Sequence, residues 1–189
     1  SWLDLPAGLL ELDAGLSTVG HSDPTGKSAW QAMQECADAE AGGGIHAPEH
    51  HSESPEAILA HTPGLRVVMP SSPARAYGLL LAAIRDPDPV MFLEPTRLYR
   101  LFRQDVTDDG EALPLDVCFT LRGGTDLTLV SWGAMLHETQ AAADVLAAEG
   151  VAAEVIDVAT LKPLDMATIL DSVARPGRCV IAHEAARTA

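Results

Sequence analysis

Short aliphatic runs alternate with longer segments of helical periodicity from about residue 66 to the end of the chain. The runs have strand length and lie at 66–70, 90–93, 127–132, 155–158 and 179–182. Strands that alternate with helices in this way form crossovers between parallel strands, and such sheets are covered on both faces. The sequence therefore predicts an α/β fold built from parallel sheets with helices on both faces.

Capping and breaking residues mark the ends of the predicted helices. Ser72 is suited to the N-cap. Pro73 fits the first turn because an N–H at that position would have no partner within the helix, so its absence costs nothing. The Asp-Pro-Asp-Pro run at 86–89 ends that helix. Ser54-Pro55 is expected to cap a shorter helix that ends near residue 60. Two further helices are predicted at 134–149 and 165–174.

Charge and composition exclude several classes of protein. The 189 residues carry 27 acidic and 12 basic side chains, a formal charge of −15, so we expect no nucleic-acid partner. Hydrophobic residues make up 47% of the chain, enough for a folded core. No apolar run has membrane-spanning length and the start lacks a basic signal region, so we expect no membrane association. Three widely spaced cysteines are typical of reduced thiols in a cytosolic-type compartment.

The segment from Gly20 to Ser28 has some features of a phosphate-binding loop. Its glycines, Gly20 and Gly26, stand before Lys27, but five residues separate them where the motif has four. No strand pattern precedes the loop either. A nucleotide-binding protein is therefore one alternative for the function, and a simple turn is the other interpretation of this segment.

A cluster of histidines precedes the first predicted helix. His46 and His50 have the spacing of two metal ligands on one helix face, and Glu49 and His51 stand beside them. Pro48 lies between the two ligands and opposes such a helix. The alternatives are surface-loop histidines, or a histidine that exchanges protons near neutral pH.

Other histidines lie within or at the ends of predicted elements. His61 and His137 are interpreted as structural or solvated. His183-Glu184 follows the last strand at its carboxyl end, the edge where parallel sheets bind ligands. A functional role is open for this pair, although the structural interpretation is favoured.

Longer motifs carry a resemblance to a known family. They include Gly-Gly-Gly-Ile-His-Ala-Pro-Glu-His-His-Ser-Glu-Ser-Pro-Glu-Ala at 42–57 and His-Thr-Pro-Gly-Leu-Arg-Val-Val-Met-Pro at 61–70. In the second half they include Leu-Val-Ser-Trp-Gly-Ala-Met at 129–135, Leu-Lys-Pro-Leu-Asp at 161–165 and His-Glu-Ala at 183–185. Over residues 42–189 the chain resembles the β subunit of thiamine-diphosphate-dependent 2-oxo acid dehydrogenase E1, of the pyruvate, branched-chain or acetoin type, within the transketolase-like family.

The resemblance implies parts of two domains. Residues 42–100 would be the latter part of a pyrimidine-binding domain, and 125–189 the first half of a transketolase C-terminal domain. Residues 101–124 are interpreted as a linker that could hold a hairpin. The lead at 1–41 is unassigned because it matches no motif of the family. The abrupt start of the match suggests a frame shift, a fusion or a partial gene.

The resemblance also implies an activity and its partners. The protein would bind thiamine diphosphate with Mg²⁺, shared with an E1 α subunit, in an α2β2 assembly that contains a second β subunit. It would decarboxylate a small 2-oxo acid oxidatively and pass the acyl group to a lipoyl-bearing E2. The location would be cytoplasmic in a bacterium or the mitochondrial matrix in a eukaryote. We expect this chain alone to be inactive, and a truncated, non-catalytic α/β fragment is the alternative.

Individual residues receive roles only through the resemblance. His51 matches the histidine that faces the reacting carbon, where it would stabilise anionic intermediates and handle protons during acyl transfer. His50 would lie behind it. The backbone carbonyls of Ala83, Asp86 and Asp88 match ligands of a structural K⁺ in some relatives. The family's upstream glutamate and aromatic residue are not recognisable in 1–41, so no residue of this chain is assigned to bind the cofactor.

Overall fold

The computed structural model describes residues 10–13, 16–19 and 54–185. The strands are β1 (Leu10–Asp13), β2 (Leu16–Val19), β3 (Arg66–Val68), β4 (Val90–Phe92), β5 (Phe119–Arg122), β6 (Leu127–Ser131), β7 (Ala153–Asp157), β8 (Thr160–Lys162) and β9 (Cys179–Ala182). The helices are α1 (Glu56–His61), α2 (Pro73–Arg85), α3 (Leu98–Leu101), α4 (Met135–Ala148) and α5 (Met166–Ala174). Strands β1 and β2 pair with each other as an antiparallel hairpin.

The first main sheet has the order β4-β3-β8. Strands β3 and β4 are parallel and are joined through α2, as predicted. Strand β8 was not predicted, and it pairs antiparallel with β3 although it follows β7 of the other sheet in the chain. We call residues 54–101 the first half and residues 119–185 the second half of the described chain. The second half therefore completes the sheet that the first half begins.

The second main sheet has the order β5-β7-β6-β9. The three predicted strands β6, β7 and β9 are parallel. Strand β5 is antiparallel to β7 and lies in the stretch 101–124 that we interpreted as a linker or hairpin. The predicted strands thus pair in parallel, and each main sheet is mixed because an additional antiparallel strand lies at its edge.

Helices cover both faces of the second sheet, as predicted. Leu129 of β6 and Val155 of β7 pack with Leu146 of α4 in one core cluster. Their strand neighbours Val130 and Ile156 pack with α5 in another. Successive side chains of a strand point to opposite faces, so the two helices lie on opposite sides of the sheet.

One predicted helix cap is confirmed and one is wrong. The Ser72 side chain accepts a hydrogen bond from the backbone N–H of Arg75 and caps α2, with Pro73 in the first turn. At α1 the N-cap position is taken by Pro55, which lacks a side-chain acceptor, and Ser54 stands one residue too early. No helix within 54–185 is long and apolar enough to cross a membrane.

Candidate functional site

The sequence-predicted catalytic and metal-binding histidines fall outside the described residues. This applies to His46, Glu49, His50 and His51, and also to the glycine-rich segment 20–28. The first described element after His51 is α1, which begins at Glu56. The contacts of α1 therefore define the site next to the predicted reaction segment.

Glu56 contacts the carboxyl edge of the second sheet. The indole Nε1 of Trp132, the residue after β6, donates a hydrogen bond of 3.4 Å to Oε1 of Glu56. The imidazole of His183, the residue after β9, stacks on the Trp132 ring with centroids 4.8 Å apart and planes at 14°. Ligand sites in open α/β sheets lie at this edge. Three side chains far apart in the sequence thus meet around the start of α1, the first described element after His51 in the chain.

Two buried polar atoms of this cluster have no hydrogen-bond partner among the described residues. Glu56 is 6% exposed, and its Oε2 has no partner among the described residues. The same holds for Nδ1 of His183. Burial lowers the pKa of His183, and the nearby Glu56 carboxylate partly opposes that effect. The neutral form of the His183 imidazole is therefore favoured. This form can donate one proton and accept another near neutral pH.

A buried ion pair lies next to the same edge. Arg97, which precedes α3, pairs with Glu138 of α4 and lies 3.5 Å from Glu184. Arg97 and Glu138 are 10% and 5% exposed, so the pair is largely removed from water. Removing one partner of such a pair would leave an uncompensated buried charge. These contacts join the first half of the chain to the second.

Lys162 contacts the other end of α1. Its Nζ donates a hydrogen bond of 2.5 Å to the carbonyl of Ala60 in the last turn of that helix. Carbonyls in the last turn of a helix lack intrahelical partners and favour a cation. Because Lys162 belongs to β8 and Trp132 follows β6, the two ends of α1 are held by different strands of the second half.

Another contact between the two halves centres on Asp157, at the end of β7. The hydroxyl of Ser71 donates a 2.5 Å hydrogen bond to Asp157 Oδ2, and Nε of Arg75 lies 3.6 Å from the same oxygen. The Arg75 guanidinium also stacks over the Phe119 ring at 3.5 Å. Asp157 is fully buried. Its burial raises the pKa of Asp157 to about 6, although Ser71 and Arg75 oppose the shift.

This raised pKa predicts a specific dependence of stability on pH. The pKa of Asp157 rises from its ordinary value of 3.8 to about 6 on folding, so proton binding favours the folded state. The stabilisation is complete below about pH 3.8 and is lost as pH rises through about 6. A shift of about two units corresponds to about 3 kcal/mol. Part of this loss has already occurred at pH 4, so relative to wild type Asp157→Asn should gain about 2.4 kcal/mol in free energy of unfolding between pH 4 and 7.5.

Urea unfolding of the wild type and the variant at both pH values measures this change. Asp171→Asn is the matched control, because Asp171 lies on the exposed surface of α5. For this control the free-energy difference from wild type should stay within about 0.5 kcal/mol at the two pH values. If the free-energy difference between Asp157→Asn and wild type were also the same at both pH values, the buried carboxyl would not titrate between pH 4 and 7.5.

Of the three positions expected to bind K⁺, Ala83 lies in the last turn of α2, and Asp86 and Asp88 lie in the turn between α2 and β4. The carbonyl of Ala83 cannot accept a helical hydrogen bond from residue 87, because Pro87 has no N–H. The carboxylate of Asp86 is already used: it pairs with Arg66 and accepts from the N–H of Asp88 at 2.9 Å. Within the described part of the chain, no group of three or more His, Cys, Asp or Glu side chains could hold a metal.

Two other predicted histidines lie away from the site. His61 ends α1 and is exposed, and His137 is an exposed residue of α4 whose ring stacks on Phe102 at 5.9 Å. Sequence reasoning missed Trp132 and Lys162 as contacts of α1. For Trp132 the available signal was its position at the end of a predicted strand, which does not identify the contact partner. For Lys162 there was no such signal, because β8 was not predicted.

Comparison with known proteins defines the class. A model of the transketolase pyrimidine-binding domain matches residues 27–101, and a model of the transketolase C-terminal domain matches residues 118–189. The chain therefore belongs to the transketolase-like family, in which these two domains follow one another. The first match includes residues 27–41, in which we recognised no motif.

Within that family the chain is similar to subunits of one kind of enzyme. It is 48% identical over 148 residues to the pyruvate dehydrogenase E1 component subunit beta of Bacillus subtilis, which covers 78% of this chain and 46% of the relative. It is 46% identical over 147 residues to the protein of the same name from Acholeplasma laidlawii, covering 78% and 45%. The chain thus spans about half the length of the curated relatives it matches.

Solved structures agree with this fold. The chain is similar to a split gene transketolase described as an inactive beta4 tetramer, with a TM-score of 0.60 and 29% identity over 68% of this chain and 42% of that one. A mutant transketolase from Pichia stipitis has a TM-score of 0.51 and 15% identity over 69% of this chain and 20% of its own. The second likeness supports the fold alone.

Proposed function

We propose that the chain is part of the β subunit of a 2-oxo acid dehydrogenase E1 that depends on thiamine diphosphate. The observation that carries this proposal is the 48% identity to the Bacillus subtilis pyruvate dehydrogenase subunit across 78% of the chain. The two matched domains support it. The substrate would be a small 2-oxo acid, pyruvate or a branched-chain acid, and the partners an E1 α subunit, a second β subunit and a lipoyl-bearing E2.

The chemistry would be divided between the cofactor and the chain. Thiamine diphosphate, with Mg²⁺ held through the α subunit, supplies the carbanion chemistry when bound. Among the described residues none is assigned to hold it. His51 would supply a proton and a positive charge where the acyl group is transferred to the lipoyl group. The adjoining α1, with its buried Glu56, gives that segment a fixed neighbour.

A structural K⁺ would bind to the carbonyls of Ala83, Asp86 and Asp88. Pro87 supports this assignment because it leaves the Ala83 carbonyl without its helical donor. The Asp86 carboxylate is occupied by Arg66, so the backbone oxygen of Asp86 is the atom offered to the ion. Neutral carbonyl oxygens are suitable ligands for a weakly hydrated monovalent cation.

Reconstitution tests the proposed function. The β subunit that contains this chain, mixed with its α subunit, thiamine diphosphate and Mg²⁺, should release CO₂ from pyruvate or a branched-chain 2-oxo acid. Omitting the α subunit should abolish release. Replacing potassium salts with sodium salts should lower the thermal midpoint of the assembly. If the complete mixture releases no CO₂ from either kind of acid, the proposed function is wrong. Equal thermal midpoints in potassium and sodium salts would contradict the proposed K⁺ site.

A second candidate is a folded fragment without activity. It is favoured by the span of about half of the curated relatives. The similar split gene transketolase is itself described as an inactive tetramer. A chain of residues 1–189 that unfolds cooperatively but releases no CO₂ with α subunit and cofactor, while the longer subunit does, would establish this alternative for the fragment.

A further inference from the structure

Helix α1 has only six residues and is held at both ends by the second half of the chain. At its first turn Glu56 accepts the hydrogen bond from Trp132. At its last turn the Ala60 carbonyl accepts the hydrogen bond from Lys162. A helix this short is marginal by itself, so its position depends on tertiary contacts.

The burial pattern of α1 is unusual for a surface helix. Ile58 is 77% exposed, whereas the acidic Glu56 is 6% exposed. The usual arrangement of a surface helix is therefore reversed, since its charged residue is buried and its large apolar residue faces solvent. Burying a carboxylate costs free energy unless donors compensate it. The donor from Trp132 is thus a specific anchor and does not result from general packing.

His183 holds the Trp132 ring in place. The two rings are stacked at 4.8 Å, and each follows a neighbouring parallel strand, β6 or β9. The orientation of the indole N–H toward Glu56 is therefore set by the edge of the second sheet. Lys162 belongs to β8, which pairs with β3 of the first sheet. Both anchors are consequently attached to strands that are hydrogen-bonded within a sheet.

We propose that Trp132 and Lys162 are positioning residues that hold α1 from its two ends and so fix the point at which the segment containing His51 joins the fold. This inference rests on the proposed function for the role of His51, but not for the anchoring of α1. Four residues separate His51 from Glu56 in the sequence. Misplacement of a catalytic group by 1 Å can cost on the order of 100-fold in rate, so we expect the acyl-transfer rate to depend on where α1 begins.

The test uses the assembled enzyme with Trp132→Phe and Lys162→Met. Phenylalanine keeps an aromatic ring against His183 but has no N–H for Glu56, and methionine keeps most of the aliphatic stem but has no donor for Ala60. Thr62→Val is the matched control, because it removes a 3.3 Å hydrogen bond to Ile58 that lies within the α1 region and does not join the two halves.

Hydrogen exchange of the α1 amides is the first measurement. Loss of either anchor should accelerate exchange about tenfold at residues 59–61, whose amides can donate to carbonyls of the preceding turn; this is the effect expected for one hydrogen bond to a charged group. Exchange in β6 and β7 should stay unchanged. Thr62→Val should not reproduce the acceleration. Unchanged α1 exchange in both anchor variants, or an equal acceleration throughout the chain, would overturn the proposal.

The second measurement separates positioning from general damage. Acyl transfer to lipoyl-E2 should fall about tenfold or more in the anchor variants, while oxidation of the substrate by an artificial electron acceptor changes less than about twofold. An equal fall in both rates would also overturn the proposal. If the wild-type assembly shows neither rate, the proposed function fails, and the exchange measurement still decides whether α1 is anchored.

Discussion

Replacing His51 with alanine is expected to lower the rate of acyl transfer to lipoyl-E2 by about 10²–10⁴-fold, the range for removal of a positioned general acid or base. The expectation rests on the resemblance of the His-Ser-Glu-Ser segment at 51–54 to the family segment that contains the reactive histidine. Alanine has no group that can carry a proton or a positive charge to the developing anion. Single-turnover transfer in the reconstituted enzyme measures the rate without interference from product release.

His137→Ala is the control for this substitution. It removes the same kind of side chain from an exposed position on α4, where the ring stacks on Phe102. Its transfer rate should remain within about twofold of wild type, as expected for a substitution outside the reaction site. A His51→Ala enzyme that transfers acyl groups at the wild-type rate would remove His51 from the mechanism.

Local sequence signals predicted the parallel core well. Strands β6 and β7 are buried along all five of their residues, and their aliphatic runs are visible without any tertiary information. Ser72 and Pro73 marked the start of α2 correctly because capping depends on residues next to each other in the chain. The last strand, β9, has the predicted bounds of 179–182.

Elements defined by distant partners were not predictable in the same way. Strand β8 has three residues, and its partner β3 lies about 95 residues earlier in the chain. The hydrogen bond between Trp132 and Glu56 spans 76 positions, and no local pattern indicates it. At α1, Pro55 took the N-cap expected for Ser54. The family resemblance carries the prediction for His51, which stays a prediction, whereas the geometry around α1 came only from the structure.

Gly124→Ala is expected to destabilise the fold by about 3 kcal/mol or more, because forced overpacking reaches that level when rigid atoms must move. Gly124 lies just before β6, where the backbone passes the start of β7. A Cβ atom at this position would approach the backbone of Ala152, Ala153 and Glu154 to less than 3.0 Å. Backbone atoms of a paired strand cannot rotate away as a flexible side chain can.

The neighbouring glycine provides a matched control. A Cβ atom on Gly123 would meet no atom within 4 Å, so Gly123→Ala should change the free energy of unfolding by less than about 1 kcal/mol in either direction. Urea unfolding of the two variants compares the same chemical change one residue apart. Because β6 pairs with both β7 and β9, displacement of its first residues would loosen the pairing at the amino ends of these strands, opposite the carboxyl edge that carries Trp132 and His183. Equal stability of the two variants would mean that the close approach of Gly124 to β7 does not exist in solution.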